Sequence, residues 1–310
     1  MVIRLQRIDL EGMSVKPINP KHILKNGSWS ARHQGAYSSG HPKPYELSRA
    51  RIENFLKCKG SFWLEQVKGI KPPNMPSFTL NTTTDILLKR DADRVRGMTT
   101  LPLWEAHGLG HMIPYDHEHL ENWTKSKQFG QSDDFFSVVH EPTNIRVGGG
   151  IDDVFLNTQT QQVHIVDYKS EAQGTEEGPN FIPKPSSLDA PHKIAYKRQM
   201  DIYVWVARQK GLDVSDTGYF VYVNAWHKDR GGMLIDEDPS KAWMEFAANI
   251  IPYEAETRWV EPTLFEIKDF LENQVSCPEF TVKATEHAPY GNENARWLLE
   301  VMEVLAATEK

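Results

Sequence analysis

Arg146–Ser170, RVGGGIDDVFLNTQTQQVHIVDYKS, is the stretch on which the fold of this chain turns. It reads as two short strands joined by a polar turn. The first ends in Gly150-Ile151-Asp152-Asp153 and the second in Asp167-Tyr168-Lys169. Strand residues two apart share a face, so Asp167 and Lys169 project together while Tyr168 points away. A hairpin then brings Asp152 or Asp153 beside Asp167. Two carboxylates and an ammonium at one sheet edge have the chemistry of a divalent-cation site with a reactive water. The plainer alternative is a buried salt bridge at a strand end, because Val163, Ile165 and Val166 mark a buried strand where an unpaired charge is costly. Parity does not choose between the first two carboxylates. Asp152 has Val154 and Leu156 on its side, and Asp153 has Ile151 and Phe155.

Upstream, Ser48 stands as an N-cap before ARIENFLKCKGSFWLEQVKG, whose apolar positions predict a helix that breaks near Gly60 and resumes. Lys71–Pro76, KPPNMP, is a breaker. After it Asn81 or Thr82 caps a second helix, on which Asp85 and Lys89 share a face, as do Arg90 and Arg94. Residues 100–135 read as loops with one short helix. Downstream, residues 171–190 have loop composition, and a loop of that length inside a domain is either mobile or functional. A helix follows over Pro191–Gly211, then a strand, TGYFVYVNAWH, over 217–227. MLIDED and the segment around Ile250 add another strand or a helix. Phe265–Gln274 and Ala295–Thr308 are the closing helices.

This order of elements predicts an α/β or α+β fold, a mixed central β-sheet flanked by helices. Residues 1–46, after a possible strand over Val2–Leu10, form a poorly organised N-terminal arm, since Pro and Gly interrupt every candidate period. Residues 47–310 are expected to form a single domain. On the helix over 191–211, Tyr196, Gln199 and Tyr203 lie at i, i+3 and i+7 and make one stripe. Such a stripe is more often a core face with a satisfied glutamine; its functional counterpart is a polar gate that aligns a substrate backbone. Lys193, Lys197 and Arg198 can reach phosphates or form a solvated face.

Composition narrows the classes. The chain has 310 residues, with 39% hydrophobic and 25% charged, values of an ordinary globular protein. A net charge of -7 argues against a tight non-specific binder of nucleic acid, but a metal enzyme also carries carboxylates that its cation later neutralises. No apolar run has membrane length and the N-terminus lacks the apolar core of a signal peptide, so no membrane partner is expected. Cys58 and Cys277 are the only cysteines, which excludes a disulfide framework and a four-cysteine metal site. The expectation is a cytoplasmic protein with both thiols reduced and buried. His107, His111, His117 and His119 have spacings open to zinc, yet the intervening glycines and proline and the missing HExxH make that a minor alternative. Gly148–Gly150 leads into a strand, so it is not a phosphate-binding loop.

Gly150-Ile151-Asp152, then Asp167-Tyr168-Lys169, then Gln199-Met200-Asp201-Ile202-Tyr203 resemble, in this order, the three signatures of the RecB-type exonuclease branch of the PD-(D/E)XK nuclease superfamily. LSRARIENFLKCKGSFWLEQVKG looks like the segment that opens many members, and the resemblance covers roughly residues 47–225. It implies a restriction-endonuclease-like core and favours Asp152 over Asp153. It implies magnesium or manganese held by Asp152, Asp167 and the carbonyl of Tyr168, with Asp85 contributing from its helix and Asp91 as a competitor for that part. Lys169, Gln199 and Tyr203 complete the catalytic set, and Tyr196, Gln199, Tyr203, Lys193 and Lys197 would contact substrate. Some relatives hold an iron–sulfur cluster through one early and three late cysteines; with Cys277 alone at the far end, no cluster is expected. The implied activity is metal-dependent hydrolysis of single- or double-stranded DNA in repair, recombination, or mobile-element or defence processing, with a helicase or other protein as a possible partner. The alternative is an inactive module of the same fold that binds DNA or a protein.

Overall fold

The computed structural model of the protein describes residues 37–67, 79–126, 129–173, 182–226, 232–234 and 238–274. In chain order these begin with β1 (Tyr45–Ser48), α1 (Arg49–Lys57), α2 (Lys59–Gln66), α3 (Thr79–Asp93), α4 (Pro102–Ala106), β2 (Met112–Pro114) and α5 (Leu120–Trp123). There follow β3 (Ser137–His140), β4 (Ile145–Gly148), β5 (Asp153–Asn157), β6 (Val163–Glu171), α6 (Ile194–Gln209), β7 (Thr217–Trp226), β8 (Glu245–Glu254) and α7 (Val260–Asn273). The described residues fall into two compact units, one of residues 37–67, 141–145 and 263–274, the other of residues 79–140 and 146–262. No helix among them is long and apolar enough to cross a membrane.

In the first unit the Ser48 side chain accepts the Arg51 N–H at 3.4 Å and starts α1. The helix breaks at Cys58, near Gly60 as expected. Cys58 is extended (φ -154°, ψ 97°), and its Sγ accepts the Ser61 N–H at 3.4 Å, so one residue ends α1 and caps α2. A sulfur acceptor satisfies one of the orphan donors that any helix start leaves. Phe55, Phe62 and Phe270 meet edge to face at 5.1–5.9 Å between centroids. The Trp63 indole N–H donates to the Gln274 carbonyl at 3.0 Å. Helix α7 starts at Val260, earlier than the Phe265 expected.

The second unit is built on a five-stranded mixed sheet in the order β2-β5-β6-β7-β8. β5 and β6 are antiparallel, β6 and β7 parallel, and β7 and β8 antiparallel. β6 is buried from Val163 to Tyr168, as a strand covered on both faces must be. On one face Phe155, Val166, Tyr168, Tyr219, Val221 and Ile250 pack with Ala92 of α3 and Trp104 of α4. Trp104 stacks on Phe155 at 4.2 Å and 20°. Helix α6 covers the other face. A Cβ on Gly218 would lie 2.4 Å from Met200 Sδ, so this glycine lets α6 approach β7 closely. The result is an α/β arrangement of helix, sheet and helix.

Several expectations need correction. Gly150-Ile151-Asp152-Asp153 does not end a strand; it opens β5, and the hairpin runs from Asp153 to Glu171. The physical reason is crowding at the glycines. A Cβ on Gly148 would fall 2.5 Å from the Phe136 carbonyl oxygen, and one on Gly150 2.7 Å from the Ser126 nitrogen. Strand β4 therefore ends at Gly148 and the chain passes through a gap that admits no side chain. The carboxylates also do not sit on a sheet edge, because β6 is the central strand. Residues 100–135 hold two short helices and the edge strand β2, which adds the fifth strand beside β5. The segment around Ile250 is a ten-residue strand, not a helix. Val2–Leu10, residues 174–181 of the long loop, Cys277 and Ala295–Thr308 lie outside the described residues.

Candidate active site

Asp167 sits at the middle of the central strand, and its side chain is 1% exposed. Alternation along β6 puts Lys169 and Glu171 on the same face, the one that α6 covers. Lys169 Nζ pairs with Asp167 Oδ2 and lies 4.7 Å from the centre of the Tyr196 ring. Asp152 precedes the first residue of β5. Its Oδ2 accepts the Tyr168 N–H at 2.9 Å, which is the amide of the peptide joining Asp167 to Tyr168. Two carboxylates thus flank one peptide. Because the N–H and C=O of a strand residue leave the same edge, the Tyr168 carbonyl also turns toward the β5 side, past the first ladder pair Asp153↔Val166.

From α6, Gln199 Nε2 donates to Asp167 Oδ1 at 2.6 Å. One turn on, the Tyr203 hydroxyl donates to the Gly150 carbonyl at 2.8 Å. A Cβ on Gly149 would lie 2.9 Å from that hydroxyl, so a glycine is required for Tyr203 to reach the chain there. The stripe Tyr196, Gln199 and Tyr203 therefore touches Lys169, Asp167 and Gly150 in turn. Asp201, on another face of α6, accepts from the Tyr253 hydroxyl, the Glu256 N–H and the Trp259 indole, each at 2.9 Å. Two further lysines of this region are engaged by other carboxylates. Lys193 is buried, 3.1 Å from Glu171 Oε2 and 4.9 Å from the Tyr222 ring centre. Lys197 pairs with Asp189 at 2.7 Å.

Helix α3 supplies Asp85 and Lys89. Lys89 Nζ stands 3.0 Å from Asp85 Oδ2 and 3.3 Å from Asp152 Oδ1. Burial, and then the neighbouring charge of Asp152, raise the Asp85 pKa against the pull of Lys89. Burial pulls Lys89 down, but Asp152 and Asp85 outweigh it and hold the ammonium above its ordinary range. Asp91 is exposed and pairs with Arg94 at 2.6 Å, away from this group. Sequence reasoning noted that Asp85 and Lys89 share a face but missed that Lys89 also reaches Asp152.

Asp153 points to the opposite face and is buried. Arg96 grips both its oxygens, at 2.9 and 3.0 Å, and also donates to the Tyr115 carbonyl at 3.0 Å. The Tyr168 hydroxyl donates to Asp153 Oδ2 at 2.9 Å. Burial raises the Asp153 pKa against the effect of Arg96, and burial followed by the Asp153 charge raises the Tyr168 phenol well above its ordinary value. Tyr168 is thereby held from both ends, its hydroxyl by Asp153 and its N–H by Asp152. Arg96 was not singled out from the sequence; the signal was available, since a second aspartate of the wrong parity in a buried strand demands a counter-charge.

The oxygen donors here suit a hard divalent ion. Asp152, Asp167 and the Tyr168 carbonyl lie together, and Gln199 Oε1 is buried with no hydrogen-bond partner. A buried acceptor of that kind is what an ion or its bound water satisfies. Lys89 between Asp85 and Asp152 shows that the space takes a positive charge. Among the described residues no three His, Cys, Asp or Glu side chains form a ready cage, and ammonium groups stand among the carboxylates. As to the histidines, His107 is engaged by the Leu103 carbonyl and Asn249, and His117 stacks on Trp123 at 4.2 Å.

None of the curated proteins compared with the chain matches it. A family model does match, that of the PD-(D/E)XK nuclease superfamily, over residues 46–278, three quarters of the sequence. The matched span contains every residue of the Asp85, Asp152, Asp167, Lys169, Gln199 and Tyr203 group, and the chain belongs to the PD-(D/E)XK nuclease superfamily.

Proposed function

We propose that this protein is a divalent-metal-dependent DNA nuclease, exonuclease-like and of the RecB-type branch of its superfamily. The observation that carries the proposal is the Asp152 carboxylate on the Asp167–Tyr168 peptide, with Lys169 on the face of Asp167. Asp152, Asp167 and the Tyr168 carbonyl would hold magnesium or manganese, with Asp85 contributing from α3. When bound, the ion lowers the pKa of a water and offsets charge on the phosphoryl oxygens. Lys169, braced by the Tyr196 ring, orients the attacking water as an ammonium donor and offsets charge in the transition state. Gln199 fixes the Asp167 carboxylate, and with Tyr203 and Tyr196 it guides the substrate strand. Lys197 is better suited than Lys193 to a phosphate contact, since Lys193 is 2% exposed. The product carries a 5′-phosphate.

The test is cleavage of end-labelled single- and double-stranded DNA with magnesium or manganese, comparing wild type with Asp167→Ala and Lys169→Ala. Equal activity in all three sinks the proposal. One observation favours a second reading, a module that binds without cutting: the carboxylates are already neutralised by Lys89 and Lys169. Metal titration separates the two, because such a module takes up no manganese, magnesium or calcium at millimolar concentration.

A further inference from the structure

Lys89 is not placed as an ordinary surface lysine. Its side chain is 26% exposed, and it joins two carboxylates from different elements, Asp85 on α3 and Asp152 before β5. The contact to Asp85 alone is the usual i, i+4 pair of a helix. The contact to Asp152 crosses 63 residues of sequence and ends on the carboxylate that also holds the Tyr168 N–H. Each carboxylate therefore has one oxygen turned to the same ammonium.

We infer that Lys89 is the internal counter-cation of the site: it neutralises Asp85 and Asp152 in the metal-free protein, and a divalent ion binds by displacing it. The inference rests on Asp152 being a metal ligand, as proposed above. A lone pair directed at Nζ is withdrawn from a metal, and a dication within a few ångströms of an ammonium is repelled strongly in a half-buried setting. The two cations compete for the same oxygens. Lys169 rests on the Tyr196 ring and pairs with the single carboxylate of Asp167, whereas Lys89 joins two carboxylates at once. Metal affinity is then set by an exchange. Without Lys89 the metal-free site would hold Asp85 and Asp152 in mutual repulsion.

The experiment is calorimetric titration of manganese, and separately calcium, into the full chain as wild type, Lys89→Met, Lys89→Gln, Lys89→Arg and Asp152→Ala. The expected result is binding about tenfold tighter or more in Lys89→Met and Lys89→Gln, within the usual range of coupling between two ligands. Lys89→Arg, which keeps the charge, stays near wild type. Thermal melting gives an independent readout: the neutral variants melt lower without metal and gain more on adding it. If wild type binds metal, Asp152→Ala does not, and the neutral Lys89 variants bind no tighter than wild type, the counter-cation role is overturned while the metal site stands. If no variant binds metal at millimolar concentration, the metal site itself falls and this role with it. Should Lys89→Met fail to fold, Lys89→Gln decides alone.

Discussion

The Asp152 carboxylate accepts the Tyr168 backbone N–H at 2.9 Å, so Asp152 and Asp167 are tied through one peptide. Asp152→Asn keeps an acceptor for that N–H and removes the charge, whereas Asp152→Ala removes both. Both variants are expected to lose nuclease activity by about 10²-fold or more, on the scale of a missing electrostatic group. Only Asp152→Ala lowers stability, by about 1–3 kcal/mol, because it strands the amide. Parallel activity assays and chemical denaturation check the split.

Lys169 pairs with Asp167 and lies over the Tyr196 ring. A guanidinium is planar and larger, and cannot point one compact charge at a water from this position. Lys169→Arg should therefore fail to support cleavage, with a loss of about 10²–10³-fold, on the scale of a missing electrostatic group. Its metal affinity should remain close to that of wild type. Single-turnover cleavage and manganese titration together separate these outcomes.

Arg96 and Asp153 form a buried pair that also anchors the Tyr168 hydroxyl. Arg96→Leu leaves a buried carboxylate without its main partner and should cost about 3–5 kcal/mol. The double variant Arg96→Leu with Asp153→Asn should recover a large part of that loss, because the stranded charge is gone. Urea denaturation of wild type, Arg96→Leu, Asp153→Asn and the double variant measures the coupling.

Gly149 and Tyr203 should behave as one unit. Gly149→Ala places a methyl 2.9 Å from the Tyr203 hydroxyl and 3.2 Å from its ring, and is expected to destabilise by about 1–3 kcal/mol. In a Tyr203→Phe background the same substitution should cost less, with an interaction of about 0.5–3 kcal/mol. A double-mutant cycle by thermal or urea denaturation is the measurement.

Burial is the main influence on Asp201 and raises its pKa in spite of three donors. The folded state then binds this proton more tightly than the unfolded chain. The Asp201 contribution is complete below the unfolded pKa of about 4 and is lost as pH rises through the raised folded value. Asp201→Asn should abolish that part of the pH dependence. It should also cost about 1–3 kcal/mol at neutral pH, since its amide opposes the Trp259 indole N–H. Denaturation between pH 4 and 7, wild type minus variant, gives the slope.

What could be read in advance follows physical lines. The apolar run Val163–Val166 and the D-x-K alternation of β6 survive because a central strand obeys period two whatever its neighbours do. Gln199 and Tyr203 were legible for the same reason on a 3.6-residue period. Strand β2 was not, since Met112-Ile113-Pro114 is too short to show alternation and its proline is tolerated only because β2 is an edge strand. The end of β4 was also misread: nothing local tells that the glycines of 148–150 pass against Phe136, Ser126 and Tyr203. Lys193 looked solvent-facing by type, yet Glu171 and Tyr222 bury it. Long-range neighbours decide such positions, and periodicity carries no information about them.

Asp152 and Asp167 are also anchored very differently. Asp167 is paired with Phe220 of β7, and the residue before it, Val166, is paired with Asp153 of β5, so shifting it means unzipping the middle of the sheet. Asp152 stands outside any ladder and is held by one N–H and one ammonium. One jaw of the site is an anvil and the other is adjustable. On the proposal above, a change of spacing to seat ions of different radius would be taken up by the Asp152 side chain, at the cost of a hydrogen bond rather than of the fold.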